Sequence, residues 1–325
     1  MKRILICVLF LFCLTACDKK DSKNYKEEFI EYSSSLTKYH LEAQMKVVKN
    51  EGNVVFDVSV SYLEPNYYKV RVQNKLNNNI QVILKNNDGV FVITPALNKQ
   101  FQFNSDWPLN SSHAYLIQSI VKDIKNDPNS SFVTNESTYT ITSVVNTKTN
   151  ANLKSQKTTF DKKTNRPISN ILYDENKTPV VTVDFKSFNA NPNLKVADFN
   201  AELVNNTIKL EMSEGTLKGN LEECVPTFIP DGYKLNKSII NEEFTLYTYT
   251  KDTSVYTISS IVTDVSEALA PSREFKEIVI LDCGVGFLND NSLSFFQDDL
   301  LVTIYNHDFV LEEAIMIANS FVNQE

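Results

Sequence analysis

Apolar and polar positions switch period several times along the chain. From Tyr25 to Leu36, Phe29, Ile30 and Leu36 fall on one side, which predicts a helix. From Leu41 the period drops to two: Leu41, Ala43, Met45 and Val47 alternate with Glu42, Gln44 and Lys46. After the turn Glu51-Gly52-Asn53 the alternation resumes with Phe56, Val58, Val60 and Tyr62. After Pro65-Asn66 it resumes again with Tyr68, Val70 and Val72. Val82–Leu84 and Val90–Ile93 flank Asn87-Asp88-Gly89, a hairpin signal, and Phe101 and Phe103 mark a further strand. The pattern predicts an antiparallel meander with one apolar and one wet face. Trp107-Pro108 breaks it, and Leu116, Ile117, Ile120, Val121 and Ile124 predict a helix over 112–125, stopped by Asp127-Pro128. Strands are predicted at Phe132–Val145, Leu153–Phe160, Ile168–Tyr173 and Pro179–Phe188. After a connector over 203–220 come strands at Phe244–Thr250, Val255–Thr263, Glu277–Val285 and Leu300–Asn306. A terminal helix, Phe309–Val322, closes the chain.

The first residues fit none of this. Lys2 and Arg3 precede an uncharged apolar run, Ile4–Leu14. That is the length of a signal-peptide core and too short for a membrane-spanning helix, which needs about 20 apolar residues. Leu14-Thr15-Ala16-Cys17 closes the run and resembles the bacterial lipobox, which implies cleavage after Ala16 and lipidation of Cys17. Two acyl chains suffice for stable anchoring. The expected location is therefore the extracytoplasmic face of the cell membrane, with 17–24 as a lipidated tether. Cleavage removes two cations and no acid, taking the formal charge from −8 to about −10. Such a balance argues against nucleic acid as a partner. Of five cysteines, Cys7 and Cys13 leave with the signal. Cys224 and Cys283 remain as one pair, and a disulfide is the expected state in an oxidising compartment, with two separate buried thiols as the alternative.

Catalytic chemistry finds no footing. His40, His113 and His307 lie far apart, outside any metal-ligand spacing, so no metal and no cofactor are expected. Ser111-Ser112-His113 sits at a predicted helix start, where Ser serves as a cap. Asp298-Asp299 and Glu312-Glu313 read as solvated or helix-terminal acids. The apolar sheet face either packs against helices or encloses a hydrophobic cavity. Candidates for both roles are Val58, Val60, Val70, Val72, Val82, Leu84, Phe91, Ile93, Phe101 and Phe103. Trp107, the single Trp, is either a core plug where the meander meets the helix or a partner contact.

Two stretches carry a resemblance. Leu63-Glu64-Pro65-Asn66-Tyr67-Tyr68-Lys69-Val70 and the run Asn87–Lys99 resemble the LolA/LolB-like lipoprotein-carrier fold. Asp88–Asp127, including Phe103-Asn104-Ser105-Asp106-Trp107-Pro108, is similar to the YdcC-type sporulation lipoproteins of Firmicutes and more distantly to GerS-like proteins. Pro230-Asp231-Gly232-Tyr233 resembles the opening of the C-terminal module of RseB/MucB-type regulators. The resemblance implies an α+β architecture: a curved antiparallel half-barrel over 25–202 with helices on its concave side, then a smaller C-terminal α+β domain over 221–325. It implies a non-enzymatic envelope lipoprotein that binds a protein partner in sporulation or in spore cortex and germination. GerS-like relatives point to a cortex-modifying amidase as the partner type. A lipid or lipoprotein carrier with an acyl-chain ligand is the first alternative, and an envelope-stress regulator the second. Where the carriers have an Arg before the Pro-Asn turn, this chain has Glu64.

Overall fold

In the computed structural model the described residues are 22–49, 52–76, 79–94, 99–103, 107–108, 113–145, 153–211, 220–222, 224–262, 276–298 and 300–321. The expected signal peptide, Cys17 and most of the tether lie outside them. No helix among the described residues is long and apolar enough to cross a membrane.

Helix α1 (Ser22–Ser34) opens the fold. Strands β1 (Lys38–Lys49), β2 (Gly52–Leu63), β3 (Tyr67–Asn74), β4 (Ile80–Asn86), β5 (Gly89–Thr94) and β6 (Lys99–Phe103) follow as one meander. Helix α2 (Ile117–Asn126) then leads to a second meander: β7 (Ser131–Thr134), β8 (Thr138–Val144), β9 (Leu153–Asp161), β10 (Pro167–Asp174) and β11 (Pro179–Asn189). The two meanders join where β11 pairs with β1, giving one antiparallel sheet in the order β6-β5-β4-β3-β2-β1-β11-β10-β9-β8-β7. The register sets one apolar row across six strands: Leu41, Val60, Val70, Ile83, Val92 and Phe101 stand opposite one another in turn. That row, Tyr139 and Ile141 of β8, and Phe160 of β9 share one core with α1 and α2. Strands from both halves of the sheet reach the same two helices, so the sheet curls around them as an open half-barrel.

The predicted strand over 132–145 is a hairpin. Asn135 Oδ1 accepts the amides of Ser137 (3.0 Å) and Thr138 (2.7 Å), an Asx turn that splits it into β7 and β8. Helix α3 (Ala201–Glu211) follows a 3₁₀ turn, Val196–Phe199, and occupies the first part of the expected connector. It is part of the first domain's packing: Val204 and Ile208 cover Ile80, Val82, Leu84, Phe91 and Ile93 on the convex side.

The second sheet contains β12 (Lys234–Ile240), β13 (Phe244–Lys251), β14 (Ser254–Val262), β15 (Glu277–Leu281), β16 (Gly284–Leu288), β17 (Ser292–Gln297) and β18 (Leu300–Asn306). Its order is β12-β13-β14-β18-β17-β16-β15. Helix α4 (Leu311–Asn319) packs Ala314, Ile317 and Ala318 on one face. The expected strand 277–285 is split at Asp282-Cys283 into the β15–β16 hairpin, whose turn meets the first domain. Asn74 Nδ2 donates to Asp282 O (2.6 Å), Asn79 Nδ2 to Cys283 O (3.3 Å), and the Val285 amide to Gln81 Oε1. Gly284 has φ +134°, and a Cβ there would lie 2.8 Å from Gln81 Cδ, so only glycine fits this approach. Phe101 stacks on Phe296 at 4.8 Å and completes the junction.

Candidate functional site

The concave face is the place where the two sequence alternatives, packed core or cavity, separate. Val58, Val60, Val70 and Val72 point into it as expected, and half-buried Phe101 packs against the same core at the domain junction. Val82, Leu84, Phe91 and Ile93 do not: they lie on the convex face, under α3. Ile83, Val90 and Val92 take the inward places. The reason is local. Strands β4 and β5 are buried on both faces, so their continuous apolar runs hide which parity faces inward. The side chain of Phe103 lies outside the described residues.

Helices fill the concave side. Phe29 of α1 sits 4.1 Å, ring to ring, from Phe160, and Tyr25 lies at 5.4 Å from Phe132 and 5.2 Å from Tyr139. Helix α2 buries Ile117, Ile120, Val121 and Ile124. It ends at Asp127, whose Oδ2 accepts the Val144 amide (2.9 Å) while its carbonyl accepts Lys26 Nζ (3.0 Å). The lysine thereby ties α1 to the end of α2. Trp107 is 0% exposed, edge-on to Tyr68 at 5.9 Å. Of the two alternatives the sequence offers, its burial fits the core plug.

A smaller part of the filling is polar. Gln156, Thr158 and Asn170 occupy inward positions of β9 and β10 and are buried. Gln156 Nε2 donates to Asp123 Oδ2 (3.2 Å) and Ser143 Oγ (3.3 Å). Asn170 Nδ2 donates to Gln156 Oε1 (3.0 Å) and Ala114 O (3.0 Å), and Thr158 Oγ1 donates to Asn170 Oδ1 (2.9 Å). The network joins the sheet to α2 and the turn before it. A signal for it existed in the sequence: these polar residues share the parity of Tyr139, Ile141, Phe160 and Leu172.

A pocket of about 290 Å³ opens at the mouth, between the end of α1, the β2–β3 turn and α2. Leu36, Tyr62, Ile117 and Val121 supply its apolar lining, and Glu64, Lys122 and Lys125 its charges. Beside it Tyr39 Oη donates to Gln118 Oε1 at 2.7 Å. Burial raises the Tyr39, Tyr62 and Tyr68 hydroxyls above the usual phenol range, so they stay neutral donors.

The cysteine pair differs from expectation. No disulfide joins Cys224 to Cys283. Cys224 Sγ donates to Ser260 Oγ at 3.5 Å inside the second core, and burial pushes this thiol up, away from reactive thiolate. Cys283 sits in the hairpin turn and is half-buried. Among the described residues no group of three His, Cys, Asp or Glu side chains is placed to hold a metal.

Comparison with known proteins agrees with the sequence resemblance. The family described as "Sporulation protein YdcC-like" matches residues 1–199. The chain is 30% identical over 322 residues to sporulation protein YdcC of Bacillus subtilis (strain 168), covering 98% of this chain and 95% of the relative. Among solved structures, the Pseudomonas aeruginosa MucA/MucB complex matches with 12% identity, 92% and 98% coverage of the two chains, and a TM-score of 0.34. A LolA superfamily protein from Nitrosomonas europaea matches with 11% identity, 56% and 98% coverage, and a TM-score of 0.32. With a family match over the half-barrel and a relative aligned along nearly its full length, this chain belongs to the YdcC-like family of sporulation proteins.

Proposed function

We propose that the chain is a membrane-anchored, non-enzymatic lipoprotein of the sporulating cell's envelope that acts by binding a protein partner. One observation carries the choice of partner over carried lipid: the concave face is occupied by the chain's own side chains, among them a buried hydrogen-bonded polar network around Gln156 and Asn170. Hydrocarbon in their place would strand those polar groups. The family membership supports the sporulation setting. The lipobox-like Leu14-Thr15-Ala16-Cys17 supports the anchor. At about 3.6 Å per residue the link from Cys17 to Ser22 reaches at most about 18 Å, so the body stays close to the bilayer.

Affinity capture of the tagged chain from sporulating cells, with an unrelated lipoprotein as control, tests the partner. An envelope protein enriched over the control, with defective spores in a deletion strain, is the expected result. No enriched envelope protein together with normal spores overturns the reading. The anchor has its own test: Cys17→Ala is expected to leave the membrane fraction and lose labelled palmitate. A variant that still fractionates with membranes, from a parent that takes up no label, overturns the anchor.

A further inference from the structure

The start of α1 is gathered into one end of the large sheet. Tyr25, in the helix's first turn, stacks on Phe132 at 5.4 Å and lies 5.2 Å from Tyr139. Lys162 Nζ sits 5.5 Å over the same Tyr25 ring and donates to Asn135 O. The Lys162 amide donates to Ser137 O (2.9 Å), and Tyr139 Oη donates to Asn165 Oδ1 (2.9 Å). The β7–β8 turn, the β9–β10 turn and the start of α1 thus share one end of the molecule. Two apolar side chains stand out of the strands that bear these turns, Val133 at 69% exposure and Ile168 at 41%. Charge is matched there: Lys26, Lys162, Lys163 and Arg166 are balanced by Glu27, Glu28, Glu136 and Asp161, in a chain whose total is −8. A neutral end meets anionic headgroups without the repulsion that the net charge would bring.

The length of chain ahead of α1 says what covers this end. From Cys17 to Ser22 the backbone spans at most about 18 Å, whereas a folded body of about 300 residues has a radius of gyration of about 19 Å and is correspondingly wider than the tether is long. The far side of the body therefore cannot reach the bilayer that holds the acyl chains. We propose that the end formed by the β7–β8 and β9–β10 turns is the membrane-facing surface, with Val133 and Ile168 entering the headgroup layer of a phospholipid bilayer. The proposal rests on the lipid-anchor reading above and adds the orientation of the body. Apolar side chains otherwise left in water gain by entering that layer, and the anchor spares them the cost of finding it. The second sheet then points away from the membrane. Its edge strand β12 lies five strand spacings, about 24 Å, beyond β16, which meets the half-barrel.

Tryptophan quenching tests this on the full chain, purified from membranes and floated with vesicles of phosphatidylethanolamine and phosphatidylglycerol whose acyl chains are brominated near the headgroup. The native chain has a single Trp, Trp107, which is 0% exposed and serves as the internal reference. Val133→Trp and Ile168→Trp, made separately at exposed positions, are each expected to lose at least a third of their emission relative to unbrominated vesicles. The native chain and Leu235→Trp, on β12 at a position 54% exposed, are expected to lose less than a tenth. Vesicle-bound Val133→Trp and Ile168→Trp without quenching overturn the orientation, and so does equal quenching of Leu235→Trp. A native chain that does not float with the vesicles overturns the anchor and the orientation together. Flotation without quenching at Val133 and Ile168 removes the orientation alone, so the two failures are distinguishable.

Discussion

Acidification tests how the core holds His113. Its ring lies 5.9 Å from that of Trp107 and 6.0 Å from that of Tyr115, and its Nε2 is out of solvent without a hydrogen-bond partner. Burial lowers its pKa from 6.5 to about 4, since a charged ring there would have neither water nor a counter-charge. Below pH 6.5 the unfolded chain therefore takes up a proton that the folded chain refuses until about pH 4. Stability is full above that window and falls as pH falls through it. At about 1.4 kcal/mol per tenfold change in proton concentration, this one group removes about 2 kcal/mol by pH 5 and about 3 kcal/mol by pH 4. His113→Leu keeps an apolar side chain in place and has no proton to bind. Urea unfolding of both proteins at pH 7.5 and pH 5 isolates the effect, because His40, His307 and every carboxylate are common to both. The native chain is expected to lose about 2 kcal/mol more than the variant between the two conditions. Parallel losses would refute the reasoning and place His113 in contact with water or a carboxylate.

Four other outcomes follow from the packing. Ile120→Ala, at a fully buried position of α2, is expected to cost about 2–5 kcal/mol in urea unfolding. Asn170→Leu removes the acceptor of Thr158 and the donor to Gln156 and Ala114, and is expected to cost more than about 2 kcal/mol; a neutral substitution would mean that the network is wet. Gly284→Ala meets both the positive φ and Gln81, so it is expected to loosen the domain junction, seen as a second, earlier thermal transition absent from the native chain. In the folded protein iodoacetamide is expected to modify Cys283 well before Cys224; mass analysis showing both protected until reductant is added would restore the disulfide.

The sheet was legible in the sequence wherever one face is wet. In β1, β2 and β3 the polar partners of Leu41, Val58 and Val70 mark the outer face, and both the strands and their inward residues come out as expected. Legibility fails where both faces are dry. In β4 and β5 alternation carries no information, and only the position of α3, a long-range fact, decides that Leu84 and Phe91 turn outward. It fails differently at β12, an exposed edge strand whose Lys234, Asn236 and Lys237 carry no apolar stripe. The β15–β16 hairpin was hidden because Asp282-Cys283-Gly284 interrupts an otherwise apolar run by only three residues. At the candidate site the apolar part was readable from periodicity. The smaller polar part was present as inward Gln156, Thr158 and Asn170, but its meaning depends on Asp123 arriving from another element.

Topology explains why the concave side has to be argued from α2 and not from the sheet. Strands β6 and β7 are opposite edges of one open sheet, yet they are neighbours in sequence. The chain between them has to cross from edge to edge, and α2 lies on that crossing, on the concave side. The same sheet can therefore enclose a cavity or a core, depending on how firmly the crossing segment is held. Here it is held three ways: by the apolar stripe from Ile117 to Ile124, by Asp123 on Gln156, and by Asp127 on the Val144 amide. Lifting α2 to admit a hydrocarbon chain would expose the apolar row and also take Asp123 from Gln156 and the Ala114 carbonyl from Asn170. Hydrocarbon repairs the first loss and not the second. The inside of this half-barrel thus behaves as a core.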